Sequence, residues 1–196
     1  RLISIAEKGN VSMSSRFYPN ILLLFFCISF LAYPLNINAG RDYWADAGVA
    51  RVGKKKPVEA PDFALNTLDG KKVSLRGFKG KAVFLNFWGT WCPPCIVEMP
   101  SMEALHKRFK DKGLVVIAVN SEEGEKKVSK FIKKKGYTFL VLLDTDGSVT
   151  SDSYRTLGLP TTYLIDRQGM VVGKAEGARE WDSEESFRLI GEILKK

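Results

Sequence analysis

Residues 81–88 read KAVFLNFW, an apolar run of strand length that leads within a few residues into WCPPC at 91–95. A run without polar alternation suits a strand covered on both faces of a sheet. The prolines at 93 and 94 fit the first turn of a helix, where a missing N–H costs nothing and the fixed φ is already helical. The pattern then repeats. That helix is expected to run to about residue 112, before Gly113. LVVIAVN (114–120) reads as a second buried strand, 122–135 as a helix, FLVLLD (139–144) as a third strand and 148–157 as a short helix. Such alternation implies parallel strands joined by helical crossovers.

The two ends of this block differ in character. TTYLID (161–166) and MVVGKAEG (170–177) flank the turn DRQG closely enough to be antiparallel, and a last helix over 183–194 carries Phe187, Ile190 and Leu194 on one face, with Ser183 as its cap. Ahead of the block, DFALNTLDGKKVSL (62–75) predicts a small β-hairpin about Asp69-Gly70. A chain of 196 residues with 45% hydrophobic content supports one well-buried domain, here expected over 61–196. Residues 40–60 lack periodicity, are rich in charge and end between Pro57 and Pro61, which predicts a linker. Residues 21–35, ILLLFFCISFLAYPL, follow Arg16 and precede Ala39. They make 1–39 a signal peptide or an N-terminal anchor, with Met13 as the start. A bilayer span needs about 20 apolar residues and Pro34 shortens this run, which favours cleavage. Either form places the folded part outside the cytoplasm, as a periplasmic or otherwise extracytoplasmic protein.

Export simplifies the cysteine count, because Cys27 falls in the exported segment and leaves Cys92 and Cys95. A structural zinc site needs four ligands, and the chain has one histidine and no second cysteine pair, so no metal is expected. His106 sits in MEALHKRF, where a helix surface or rim position accounts for it. The net charge of +8 does not indicate nucleic-acid binding, since the basic residues are dispersed and the chain is exported. In EKKVSKFIKKKG (125–136), Val128, Phe131 and Ile132 form an apolar stripe that leaves Lys126, Lys127, Lys130, Lys133 and Lys134 facing water.

A helix starting at Cys92 puts that sulfur at the positive end of the helix dipole, which lowers the thiol pKa and favours a thiolate. Cys95, one turn deeper, is within reach of Cys92 but shielded from bulky substrates, so the pair can carry two electrons. A purely structural role is disfavoured, because so small a loop removes little entropy from the unfolded chain.

FWGTWCPPC, with GLPTTYLID some sixty-five residues later, resembles the thioredoxin superfamily, and more narrowly the exported TlpA- and ResA-like thiol-disulfide oxidoreductases, including those of cytochrome c maturation. The resemblance covers about 61 to the C-terminus. It implies an α/β thioredoxin fold, a central mixed sheet flanked by helices, with an N-terminal β-hairpin and an inserted β-α element. It also implies that Pro160 is a cis-proline beside the cysteines and that Leu159 offers backbone groups to an extended substrate. Trp91 and Pro93 complete the expected substrate surface. Phe87, Trp88 and Met99 are expected in the core, and Pro100 matches a helix-kinking proline. The buried aspartate that cytoplasmic thioredoxins carry six positions before the first cysteine is Asn86 here, and an amide cannot serve as that base. Glu98, one turn beyond Cys95 on the same face, matches a functional glutamate of ResA-like proteins and is expected to take the Cys95 proton.

The implied activity is reduction of protein disulfides, an apocytochrome c among them, with no cofactor, a membrane-embedded thiol reductant as electron source, no nucleic-acid partner and a monomeric state. Two other classes share the fold. Thiol peroxidases carry a Pro seven residues and a Thr or Ser three residues before the attacking cysteine, and this chain has Leu85 and Gly89 there. A non-enzymatic binding or chaperone module would not need the cysteines. No haem attachment motif is present, since Ile96 follows the pair.

Overall fold

Strand β4 (Ala82–Trp88) is buried along its whole length, as its apolar composition requires. Its side chains alternate between two cores. Phe84 and Trp88 join a cluster on one face, and Val83, Leu85 and Phe87 join the other. A computed structural model describes residues 42–53 and 56–195; the expected signal or anchor segment lies outside them. The described part belongs to one compact unit, Asp42–Lys196.

From β4 the chain runs through α2 (Pro93–Phe109), β5 (Leu114–Ser121), α3 (Glu125–Lys135) and β6 (Leu140–Asp144). The β4–β5 and β5–β6 ladders are parallel, as the alternation predicts. A turn of π-helix (Val149–Ser153) takes the place of the expected short helix, and β7 (Thr161–Ile165), β8 (Val171–Glu176) and α4 (Glu184–Ile193) follow, with Ser183 capping α4. Strand β7 is antiparallel to β4 and to β8. The hairpin β2 (Ala64–Thr67) and β3 (Lys72–Ser74) extends the far edge through antiparallel pairing of β2 with β6. This is the mixed α/β sheet flanked by helices that was expected. Helices α2, α3 and α4 all cover one face, through Met99, Met102, Leu105, Val128, Ile132, Leu189 and Ile193. The other face is closed by Phe63, Leu75, Val149 and Tyr154, from irregular segments and short turns.

The segment 40–60 departs from the linker reading. A short helix α1 (Tyr43–Asp46) and strand β1 (Ala50–Arg51) make the sheet eight-stranded in the order β1-β8-β7-β4-β5-β6-β2-β3. The domain therefore includes residues 42–53, ahead of the expected start at 61. Trp44 and Val49 are buried, each 3% exposed. They fill a slot over Gly173 of β8, where a Cβ would come within 2.9 Å of both. The Tyr43 hydroxyl also donates to the Glu192 carboxylate on α4. Trp44→Ala should cost about 3–5 kcal/mol of stability in urea denaturation; an unchanged midpoint would mean that 42–51 does not pack on the domain.

Candidate active site

The end of β4 delivers the chain to a tight turn, Gly89-Thr90-Trp91, and then to α2. Cys92 is the N-cap of α2, with extended backbone, and Pro93 and Pro94 occupy the next two positions. The sulfur of Cys92 accepts the Cys95 peptide N–H at 3.3 Å, so a thiolate there gains a hydrogen bond as well as the helix dipole. Cys92 and Cys95 are joined by a disulfide, with Cα atoms 5.3 Å apart. Both are buried, Cys95 more deeply, at 1% exposure against 5%. This asymmetry suits an attacking and a resolving partner.

Glu98 lies one turn along α2 and is 2% exposed. Asn86 of β4 donates to its Oε1 at 2.9 Å and to Thr162 Oγ1 at 2.9 Å. The Trp181 indole N–H and the Arg179 peptide N–H both donate to Oε2, at 3.0 Å and 3.1 Å. Burial raises the Glu98 pKa above the usual carboxylate range, and the donors from Trp181, Asn86 and Arg179 only partly oppose it. Asn86 thus cannot replace the thioredoxin aspartate as a base, but it orients the carboxylate that stands nearby.

The turn before Cys92 is tied down from the opposite side. Thr90 donates its peptide N–H to Glu123 Oε2 at 2.6 Å and its hydroxyl to Oε1 at 2.5 Å. Asn120 of β5 donates to Oε2 at 2.8 Å, and Lys127 Nζ lies 2.6 Å from Oε1. Burial would raise the Glu123 pKa, yet Lys127, Thr90 and Asn120 together hold it below the ordinary value. Glu123→Gln removes the strongest acceptor of this turn and should loosen Thr90. Faster amide hydrogen exchange at residues 89–92 checks this, and unchanged protection there would contradict it.

The Leu159–Pro160 bond is cis. Pro160 is buried and Leu159 partly so. Because Thr161 of β7 pairs with Phe87 of β4, Pro160 stands at the same end of the sheet as the cysteine turn. Trp91 is 56% exposed and its indole lies against Gly89, where a Cβ would approach to 2.8 Å. A cleft of about 330 Å³ runs between Trp91, Glu122 and residues 156–159. Leu157 and Val97 are exposed at 92% and 75%, and Pro93 is exposed as well. Phe87, Trp88 and Met99 are core, as expected, and Pro100 lies inside α2. His106 is half-buried on α2, and burial lowers its pKa. Thr90, Glu123, Arg179 and Trp181 carry no motif that singles them out in the sequence.

The AhpC/TSA family model matches residues 58–174. The chain belongs to the AhpC/TSA family. Within it, the chain is similar to the thiol-disulfide oxidoreductase ResA of Bacillus thuringiensis subsp. konkukian, 38% identical over 90% of this chain and 92% of that one. It is likewise similar to ResA of Bacillus cereus ATCC 10987, 40% identical over 79% of this chain and 83% of that one. Among solved structures, a thioredoxin-family thiol:disulfide interchange protein from Chlorobium tepidum superposes with a TM-score of 0.62 at 30% identity, covering 72% of this chain and 99% of that one. As these relatives are, this AhpC/TSA family member is a thiol-disulfide oxidoreductase.

Proposed function

We propose that the couple works as a reductant of disulfides in extracytoplasmic proteins, with the Cys-x-x-Cys pair of an apocytochrome c as a fitting substrate. The observation that carries this reading is the junction of α2: Cys92 Sγ takes the Cys95 N–H at the helix N-terminus, and buried Glu98 stands one turn beyond. The Cys92 thiolate attacks one sulfur of the substrate disulfide, forming a mixed disulfide and expelling the other sulfur as a thiolate. Cys95 gives its proton to Glu98 and attacks Cys92. The Cys92–Cys95 bond forms, the mixed disulfide breaks, and the substrate leaves with two electrons and, after protonation, two thiols. A membrane-embedded dithiol would restore the pair by the reverse exchange. Trp91, Pro93, Leu159 and Pro160 form the substrate surface in this reading.

The extracytoplasmic placement rests on residues 21–35. No helix among the described residues is long and apolar enough to cross a membrane. Peroxidase chemistry is disfavoured by Gly89, since the Cβ of a Thr or Ser there would press on the Trp91 indole. Reduced protein mixed with a disulfide-closed Cys-x-x-Cys-His peptide should open one peptide bridge per protein oxidised, and should not consume hydrogen peroxide when a thiol donor is supplied. The opposite pattern would replace the reductase reading with a peroxidase one.

A further inference from the structure

Two of the three donors on Glu98 come from residues 179–181, a segment without regular secondary structure. Its shape is set largely by one side chain. The Arg179 guanidinium donates to the carbonyls of Glu176 and Ala178 at 2.9 Å and of Gly177 at 3.3 Å. Its Nε and Nη2 both reach the carbonyl of Gly48 at 3.3 Å, across to the segment that packs Trp44 and Val49 on β8. Gly48 has φ +66°, and a Cβ built on it would lie 2.5 Å from Arg179 Nε. The close approach therefore requires glycine. On the inner side, the Ser101 hydroxyl of α2 accepts the Trp181 peptide N–H at 3.0 Å and donates to the Glu98 carbonyl at 2.7 Å. Trp181 itself stands edge-on to Phe84 of β4, with ring centroids 4.7 Å apart.

We propose that Arg179 is a positioning residue for the resolving step: by clamping residues 176–178 to Gly48 it holds its own peptide N–H and the Trp181 indole on Glu98 Oε2, so that the docked N-terminal segment helps to set the proton affinity of Glu98. The inference rests on the reading of Glu98 as the proton acceptor of Cys95. A guanidinium can span several carbonyls at once because its donors form a rigid planar fork. Its acceptors here are main-chain carbonyls, so the cation's charge acts on Glu98, in the direction that favours the carboxylate. Among the described residues, the charge that acts on Glu98 is that of this guanidinium, and the thiols of a reduced pair lie ahead of it, Cys95 one turn back and Cys92 at the N-cap of α2. Strand β4 contributes the neutral Asn86, which is linked to Thr162 of β7, and the loop contributes the neutral indole.

The test is a carboxyl ¹³C NMR titration of Glu98 in the oxidised protein, its signal identified by its loss in Glu98→Gln. It is paired with the pH profile of mixed-disulfide resolution. In Arg179→Ala and in Gly48→Ala the Glu98 midpoint should rise by about one pH unit, and resolution should slow about tenfold on the acid limb, with the alkaline plateau unchanged. Arg179→Lys keeps a charge without the fork and should give a smaller rise. Gly48→Ala leaves every residue around Glu98 intact, so it decides the matter should Arg179→Ala not fold. Midpoints equal to wild type in folded Arg179→Ala and Gly48→Ala would overturn the proposal. A wild-type pH profile in Glu98→Gln would instead overturn the role of Glu98 itself, whatever the titrations show.

Discussion

Cys95→Ser should turn the protein into a trap. Cys92 still attacks a substrate disulfide, but no second sulfur displaces it, so the mixed disulfide accumulates and multiple turnover falls to background. Cys92→Ser should form no adduct at all. The asymmetry follows from the helix N-terminus, which places one sulfur at the cap with a peptide N–H aimed at it and the other a turn deeper and nearly inaccessible. Loss of fold would not imitate this result. The disulfide closes a loop with a sequence separation of only 3, so its removal costs no more than about 2 kcal/mol. Mass spectrometry under non-reducing conditions reads the outcome: a one-to-one adduct for Cys95→Ser, resistant until an external thiol is added, and none for Cys92→Ser. Adducts through Cys95 would reverse the assignment of the two sulfurs.

Glu98→Gln should make the protein slower and, at neutral pH, more stable. Removing a positioned proton acceptor should slow resolution about 100-fold and abolish the acid limb of its pH profile. The effect on stability has the opposite sign. Burial raises the folded-state pKa of Glu98 above its unfolded value, so between those two values the folded protein binds more protons than the unfolded chain. The stability linked to this group is complete below the unfolded pKa and is lost as pH rises through the folded one. Gln carries no such penalty. It also fits the site: its oxygen can take the Trp181 and Arg179 donors, and its NH₂ can face a rotated Asn86, whose oxygen can also accept from the Thr162 hydroxyl. Urea denaturation of the oxidised protein should therefore show Glu98→Gln gaining on wild type as pH rises from 5 to 8. A wild type that gains on the variant over that range would mean that Glu98 is held as a favoured carboxylate, with no raised proton affinity to use.

The order of elements from β2 to α4 was legible because each element presents a period or a bounded apolar run. KAVFLNFW has no polar break long enough to admit a turn, and paired prolines leave the start of α2 little choice. The segment 42–51 was not legible for the opposite reason. Trp44 and Val49 sit in a short stretch, YWADAGVA, with no helical or strand period, and their burial depends on a slot above Gly173, more than a hundred residues away. The site divides in the same manner. Cys92, Cys95 and Glu98 lie on one helix at a spacing that brings them to one side of it, so local sequence places them together. Arg179 and Trp181 reach Glu98 only after the whole sheet has closed, and their segment carries no period or turn signature that aims them at it. Glu123 reads as an ordinary acidic residue in the first turn of a lysine-rich helix, yet it lies just ahead of α3, is buried and holds the turn before Cys92.

In the proposed function, electrons leave the protein through Cys92. The midpoint potential of the Cys92–Cys95 couple, measured by equilibration in thiol buffers of known potential, decides that direction. A reductant requires a midpoint well below about −180 mV, where oxidising isomerases sit. A midpoint of about −120 mV, the range of strong disulfide oxidants, would reverse the direction of transfer and overturn the reductase reading.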